Sequence, residues 1–272
     1  MKTFTLKSGD EIPVLGLGTW KLTGAECVET VETALDLGYR HIDTAVDYGN
    51  HVEVGQGLAN SPVAREEIFL TSKIVREDLR YDDVLATAKQ ALEDLGVDYL
   101  DLLLIHWPNK DIPLEETLRA FAELKEAGLI KNVGVSNFTI NHLKDAFEIN
   151  EELITLNQFE THPYLYQEEL INFCQENNLG VTAYSPLART RILDDEVITG
   201  LAEKYDWTPA QLTLRWLIDR DIIVIPKASS REHLKDNLKA LEGSLPEEVD
   251  GKLAELDEGL RLIDGGWTEF DY

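Results

Sequence analysis

Groups able to move protons or polarise a carbonyl recur along this chain at the ends of short apolar runs. In order they are Trp20, Asp43 with Tyr48 just beyond it, Lys73, His106 with Trp107, Ser136 and Asn137, Gln158, Tyr184 and Lys227. Together they offer carboxylate, phenol, ammonium, imidazole, amide and hydroxyl, a set suited to acid–base work on a small polar molecule. Each also has an ordinary structural explanation. Asp43 can cap a helix, Lys73 can be half of an ion pair, and Tyr48 and Tyr184 can be core aromatics with a solvated hydroxyl. His106, inside LIHWP, can be a satisfied histidine at a strand terminus. Convergence on one face would outweigh these explanations, so the elements that carry the residues decide the matter.

Runs rich in Val, Ile and Leu predict eight strands, at Leu15–Gly18, Arg40–Asp43, Phe69–Lys73, Asp101–His106, Asn132–Ser136, Thr155–Phe159, Gly180–Tyr184 and Ile222–Pro226. Stretches with helical spacing predict helices at Ala25–Leu37, Asp82–Leu95, Leu114–Ala127, Ile140–Ile149, Gln167–Asn177, Glu196–Tyr205 and Pro209–Asp219. The last has Pro in its first turn behind Thr208, an N-cap signal. Phe4–Leu6 and Ile12–Val14 flank SGDE and predict a hairpin that closes one end of a barrel. No Pro/Gly/Ser-rich linker divides the chain. Eight alternating βα units imply one domain over 1–272, a single (β/α)8 TIM barrel with an N-terminal β-hairpin. A doubly wound sheet is the alternative, but it calls for a GxGxxG near the first strand, and GLGTWK at 16–21 does not supply one. In such barrels functional groups sit where strands end, which is where the residues above fall.

The 272 residues carry 51 Asp plus Glu against 25 Lys plus Arg, a formal net charge of −26. That charge repels phosphates and anionic lipid, so neither nucleic acid nor membrane is an expected partner. Cys27 and Cys174 are too few for a disulfide framework, and no CxxC or HExxH spacing suggests a metal. The first residues lack a signal-peptide run and nothing later approaches about 18 consecutive apolar residues, so a cytoplasmic protein is expected. Acidic residues scattered along the whole chain also suggest adaptation to high salt, a halophilic reading.

GYRHIDTAVDYGN at 38–50, LLLIHWP at 102–108, IKNVGVSNF at 130–138, NQFETHPYL at 157–165 and AYSPLA at 183–188 closely resemble the aldo-keto reductases. The resemblance runs from GLGTW to the segment after Pro226. It is nearest to prokaryotic and archaeal members such as the diketogluconate and methylglyoxal reductases. It implies a (β/α)8 barrel that reduces small aldehydes and ketones with NAD(P)H, and a monomer. It carries over a catalytic tetrad, Asp43, Tyr48, Lys73 and His106. The physical logic is that hydride reduction puts negative charge on oxygen, so a proton donor must stand beside that atom. Lys73 is expected to pull the Tyr48 pKa down from its ordinary value of about 10, with Asp43 holding the ammonium in place. His106 is expected to orient the carbonyl oxygen. No metal is required.

By the same resemblance Ser136, Asn137 and Gln158 bind the nicotinamide carboxamide, and Tyr184 stacks on its ring, with Ser185 and Leu187 of AYSPLA beside the cofactor. IPKASSREHLKDN at 225–237 resembles the segment that holds the adenosine end, with Lys227, Ser229, Ser230, His233 and Asn237 at matching positions. Lys227, Arg231, Lys235 and Lys239 form a local basic run there, and Ser229 followed by Glu232 fits a capping box. Hydroxyls, backbone N–H groups and cations at a helix start make a phosphate site. The segment departs from the NADPH-preferring pattern at His233, commonly arginine, and at Ala228, commonly serine or threonine. Histidine lacks the permanent charge and planar fork of arginine, so the expectation is NADP(H) first, with weakened discrimination against NAD(H).

Trp20 and Trp107 are expected to wall the substrate pocket together with Tyr48 and His106. The tail GLRLIDGGWTEFDY is expected only to brush the site through Trp267 and Phe270, and His51, at a position that is usually acidic, to begin a helix and change loop packing. A Schiff-base lyase or aldolase is the rival enzymatic reading, since Lys73 and Lys227 both end barrel strands. A non-catalytic cofactor-sensing protein is the other.

Overall fold

The computed structural model describes residues 2–272. Ten strands, β1 to β10, and ten α-helices, α1 to α10, follow one another along the chain. The hairpin strands β1 (Thr3–Thr5) and β2 (Glu11–Pro13) pair antiparallel with Phe4 opposite Ile12. The remaining strands are β3 (Leu17–Gly18), β4 (His41–Asp43), β5 (Phe69–Ile74), β6 (Leu100–Ile105), β7 (Ile130–Ser136), β8 (Ile154–Glu160), β9 (Gly180–Tyr184) and β10 (Ile222–Val224). They form one eight-stranded sheet in sequence order, every named pair parallel. The sheet closes on itself where Leu15 bridges Val224 in parallel, with the Gly16 amide donating to the Val224 carbonyl at 2.9 Å. The fold is therefore a (β/α)8 barrel with an N-terminal hairpin.

The glycines of GLGTWK serve this seam. A Cβ on Gly18 would lie 2.6 Å from the Ile225 carbonyl oxygen, and one on Gly16 at 2.6 Å from the His41 ring. Glycine at 18 lets the first and last strands approach this closely, and glycine at 16 makes room for the His41 ring of β4.

Strand periodicity then sorts the side chains. Outward residues such as Leu70, Leu103 and Val181 join the layer between sheet and helices. Inward residues Phe69, Leu102, Leu104, Leu156 and Ile223 form a separate cluster, plugged from below by Leu6 and Ile12 of the hairpin segment. One step further along the same inward rows stand Asp43, Lys73, His106 and Gln158. An apolar floor and a polar rim thus follow from one alternation.

The helices that hold this geometry are α1 (Gly24–Asp36), α2 (His51–Asn60), α3 (Tyr81–Leu95), α4 (Leu114–Glu126), α5 (Ile140–Asn150), α6 (Glu168–Glu176), α7 (Glu196–Lys204), α8 (Pro209–Ile218), α9 (Arg231–Leu238) and α10 (Glu247–Ala254). Thr208 caps α8 as its spacing predicts, in a capping box with Gln211. The bounds of α2 are not evident from sequence because HVEVGQGLAN contains two glycines, poor helix formers. A Cβ on Gly55 would collide with the Leu95 carbonyl and one on Gly57 with Val31, so the glycines buy close packing against α3 and α1. Helix α10 also escapes prediction, since Val249 and Leu253 are its only buried residues.

Candidate active site

Tyr48 ends a single 3-10 turn, Val46–Tyr48, that follows β4 and stops at Gly49 in the left-handed region (φ 64°). The turn is braced by buried Asn50, whose amide donates to the Thr19 and Leu22 carbonyls, each at 2.9 Å, and whose oxygen accepts from Thr44 at 3.0 Å. The loop carrying Trp20 and the turn carrying Tyr48 are thereby fixed to each other.

Lys73 lies fully buried at the end of β5. Its ammonium donates to Asp43 Oδ1 at 2.5 Å, to the Thr44 carbonyl at 2.8 Å and to the Tyr48 oxygen at 3.3 Å. An ammonium has three N–H bonds, and all three are used. The second Asp43 oxygen accepts from Gln158 Nε2 at 2.8 Å. His106 is nearly buried, its ring edge-on to Tyr48 with centroids 5.8 Å apart. The structure thus brings Asp43, Tyr48, Lys73 and His106 together at one mouth.

The electrostatics correct one expectation. Burial, with the Asp43 and Asp47 carboxylates adding to it, holds the Tyr48 phenol well above its ordinary pKa, rather than below it. Desolvation is the largest cause, so the phenol keeps its proton through neutral pH and stands as a donor. Burial, and after it the Lys73 charge, drives His106 well below the usual histidine range. A neutral imidazole with one N–H results. Burial also lowers Lys73 while Asp43 opposes the shift. With every N–H engaged, this lysine offers no lone pair to a carbonyl, which removes the basis of the Schiff-base reading at this position. Burial likewise raises Cys27 to about 11 and Cys174 to about 12, which keeps both thiols protonated.

A second set anchors the opposite wall. Asn137 sits in the left-handed region (φ 62°) and donates to the His106 carbonyl at 3.0 Å, while its oxygen accepts from the Tyr184 hydroxyl at 2.8 Å. Ser136 is buried, donates to the Gln158 carbonyl at 2.8 Å, and is not among the residues that line the open cleft. Asn137, Gln158 and Tyr184 do line it, with Trp20, Trp107, Ser185, Leu187 and Lys227, around a volume of about 540 Å³.

Ser229, Ser230, His233 and Asn237 lie beyond that lining, on and before α9. Ser230, not Ser229, is the N-cap: its hydroxyl accepts from the His233 amide at 3.1 Å. Ser230 carries the extended N-cap backbone (φ −91°, ψ 143°), so the Ser229–Glu232 box does not form. The basic run is also thinner than its sequence suggests, because Arg231 pairs with Asp36 at 2.7 Å. Asn237 is buried, on the same helix whose Leu234 carbonyl accepts from the Tyr39 hydroxyl at 3.0 Å.

Sequence reasoning missed Arg189, Lys21, Asp47 and Ile263, all of which line the cleft. Arg189 follows β9 on a kinked segment, at φ 51°, and places its guanidinium 5.0 Å from the Trp20 ring centre; Lys21 lies 4.4 Å from the same ring. The strand-end rule, carried a few residues past AYSPLA, would have found the first. The tail also does more than brush the site. Trp267 meets Trp107 edge-on at 4.5 Å and Phe270 approaches it at 5.8 Å. Buried Glu269 fixes them by accepting from Arg76 and from the Lys110 amide, both at 3.1 Å, and by meeting His142 at 3.2 Å. No periodicity in GLRLIDGGWTEFDY announces such a tether. His51 is buried at the start of α2, with Nε2 3.0 Å from the Ser72 hydroxyl, so it ties helix to strand outside the mouth.

The donor set fits a nicotinamide dinucleotide. Side-chain amides and a tyrosine face occupy the middle of the cleft, and the cations Lys21, Arg189 and Lys227 stand at one end, where phosphates need them.

Comparison with known proteins agrees with the barrel and its rim. The glyoxal reductase of Bacillus subtilis is 41% identical over 261 residues, covering 96% of this chain and 94% of that protein. The methylglyoxal reductase DkgB of Escherichia coli is 40% identical over 255 residues, with 93% and 96% covered. The crystal structure of an aldo-keto reductase enzyme from a Medee basin deep-sea metagenome library superposes with a TM-score of 0.93 at 37% identity, covering all of both chains. The model of the aldo/keto reductase family matches residues 14–258, from the first barrel strand to beyond α10. A chain whose closed sheet gathers a lysine-gripped phenol at its mouth, and whose residues 14–258 match the family model, belongs to the aldo/keto reductase family.

Proposed function

We propose that this chain reduces small aldehydes and ketones, of keto-sugar or 2-oxoaldehyde type, to alcohols, with Tyr48 as general acid. The observation that carries the reading is the grip of Lys73 on Asp43, Thr44 and Tyr48 beside His106. The hydride for the carbonyl carbon would come from NAD(P)H when bound. As charge develops on the carbonyl oxygen, the Tyr48 hydroxyl gives it a proton, and the neighbouring ammonium stabilises the phenolate left behind. Neutral His106 donates a hydrogen bond to the same oxygen and orients it. Asp43 keeps Lys73 charged, and Gln158 fixes Asp43. Asn137 and Gln158 would hold the carboxamide and Tyr184 would supply a face for the ring, while Ser136 positions Asn137 through a 3.0 Å hydrogen bond.

The names of the glyoxal and methylglyoxal reductases support small 2-oxoaldehydes as substrates. Lys227, Ser229, Ser230, His233 and Asn237 would take the adenosine end. An exposed His233 in place of a guanidinium supports use of both cofactors, NADPH ahead by a narrow margin. A soluble cytoplasmic monomer, adapted by its acidity to high salt, completes the reading; no helix among the described residues is long and apolar enough to cross a membrane.

The test is to follow nicotinamide absorbance with glyoxal, methylglyoxal and keto sugars, using each cofactor in turn. Wild-type protein should turn over 2-oxoaldehydes. Tyr48→Phe should lose activity by about 10³-fold, within the range of general acid catalysis, while dinucleotide binding followed by fluorescence persists. Full turnover by that variant would remove Tyr48 from its role.

A further inference from the structure

A second cavity of about 250 Å³ adjoins the main cleft. The two spaces share Asp47, His106, Trp107 and Trp267. These four residues form a common wall in which the two tryptophans touch edge-on, so a carbonyl compound held at the imidazole in the main cleft lies beside Asp47. Lys21, Arg189 and Lys227 line the main cleft alone. The side cavity adds Arg76 and Glu77 instead.

Its charge is uncompensated. Arg76 is spent on Glu269 at 3.1 Å and on the Pro108 carbonyl at 3.0 Å. Lys73 is spent on Asp43. Asp47 and Glu77 are exposed, and no ion pair among the described residues engages either. Low-dielectric walls of tryptophan focus the field of such carboxylates onto whatever displaces the water between them.

We propose that Asp47, seconded by Glu77, is a specificity-determining residue: it admits uncharged or cationic carbonyl compounds and discriminates against those bearing a carboxylate, such as keto acids. The inference rests on the reductase reading and names the substrate class of that same site. Among the compounds that reading allows, neutral 2-oxoaldehydes and keto sugars are favoured and keto-sugar acids are disfavoured.

Three benzaldehydes with para carboxylate, nitro or trimethylammonium groups test it. Wild-type protein, Asp47→Asn, Glu77→Gln and the double variant are compared by kcat/KM at low salt, each charged aldehyde taken relative to the nitro compound. Those ratios cancel intrinsic reactivity and any effect of Asp47 on the Tyr48 proton. The carboxylate ratio should rise about five-fold for each variant, as for unit charges about 8 Å apart at an effective dielectric of about 40. It should rise further in the double variant, the trimethylammonium ratio should fall, and both shifts should shrink in molar KCl, where the screening length is only about 3 Å. Ratios unchanged in every variant would overturn the proposal while leaving the reductase standing. A shift confined to Glu77→Gln would overturn the assignment to Asp47. Failure of wild-type protein to reduce any of the three, or methylglyoxal, with either cofactor would remove both readings together.

Discussion

The main cleft and the cavity beside it contrast in charge. In the main cleft Lys21 and Arg189 rest on Trp20, with Lys227 in the same lining; Asp47, shared by the cleft and the cavity beside it, and Glu77, in that cavity alone, stand without an ion pair alongside Trp107 and Trp267. A chain of net charge −26 has few cations to place, and it places three of them in the cleft, where they suit a dinucleotide's phosphates. Average charge therefore says little about a site. The long-range field governs solubility and encounter, whereas local placement governs which ligand fits. The partners differ as well. Arg189 and Lys21 rest on an indole face, while Arg76 and Lys73 are neutralised by Glu269 and Asp43.

The largest effect is expected beneath the mouth, where buried Lys73 grips Asp43 and Tyr48. Lys73→Met should lower turnover by about 10²-fold or more, because the phenolate left by proton transfer loses its stabilising charge. It should also destabilise the fold by about 3–5 kcal/mol, since Asp43 is left buried and unpaired. Adding Asp43→Asn should restore stability in urea unfolding but not turnover. Persistent instability of the double variant would mean that the pair does not act as described.

The contrast is readable only where the barrel stays folded, and His41 sets the acid limit. Burial lowers its pKa from 6.5 to about 4. The unfolded chain then binds the extra proton, so stability is full above the unfolded value and falls as acid carries the solution from about pH 6.5 towards the folded pKa. The loss should approach about 3 kcal/mol once the pH is below both values. Thermal melts across that range should show it, and His41→Asn, if it folds, should flatten the slope.

The cationic lining is sharpened by Lys227→Ala. The dissociation constant for NADPH should rise about ten-fold, as for loss of one charged hydrogen bond, with little change in kcat and a smaller effect on NADH. Equal effects on both cofactors would place Lys227 away from the extra phosphate. The smallest effect is expected at the paired tryptophans. Trp267→Ala removes an edge-on aromatic pair worth about 1 kcal/mol and should raise KM for aromatic aldehydes a few-fold while sparing methylglyoxal.

Much of this site is legible in the linear order because a barrel converts strand ends into neighbours. Asp43, Lys73, His106 and Gln158 fall on the inward parity of four different strands, and that parity can be counted. Tyr48 and Asn137 are legible only through the motifs around them, since each sits on a turn whose direction depends on a left-handed residue, Gly49 in one case and Asn137 itself in the other. The Ser230 cap, the Arg231–Asp36 pair and the α2 glycines were misread or missed because each is decided by a partner from another element.

Residue types, alternation and motif spacing in the sequence by themselves determined the closed sheet, its apolar floor and the identity of the four groups at its mouth. Period-two order is a local property of a strand, and a closed sheet admits few arrangements of it. Tertiary structure alone decided the upward shift of the Tyr48 phenol, the docking of Trp267 and Phe270 on Trp107, and which charged side chains line the cleft and the cavity beside it. Those depend on desolvation and on distances between groups remote in the chain, and both come into existence only when the barrel closes.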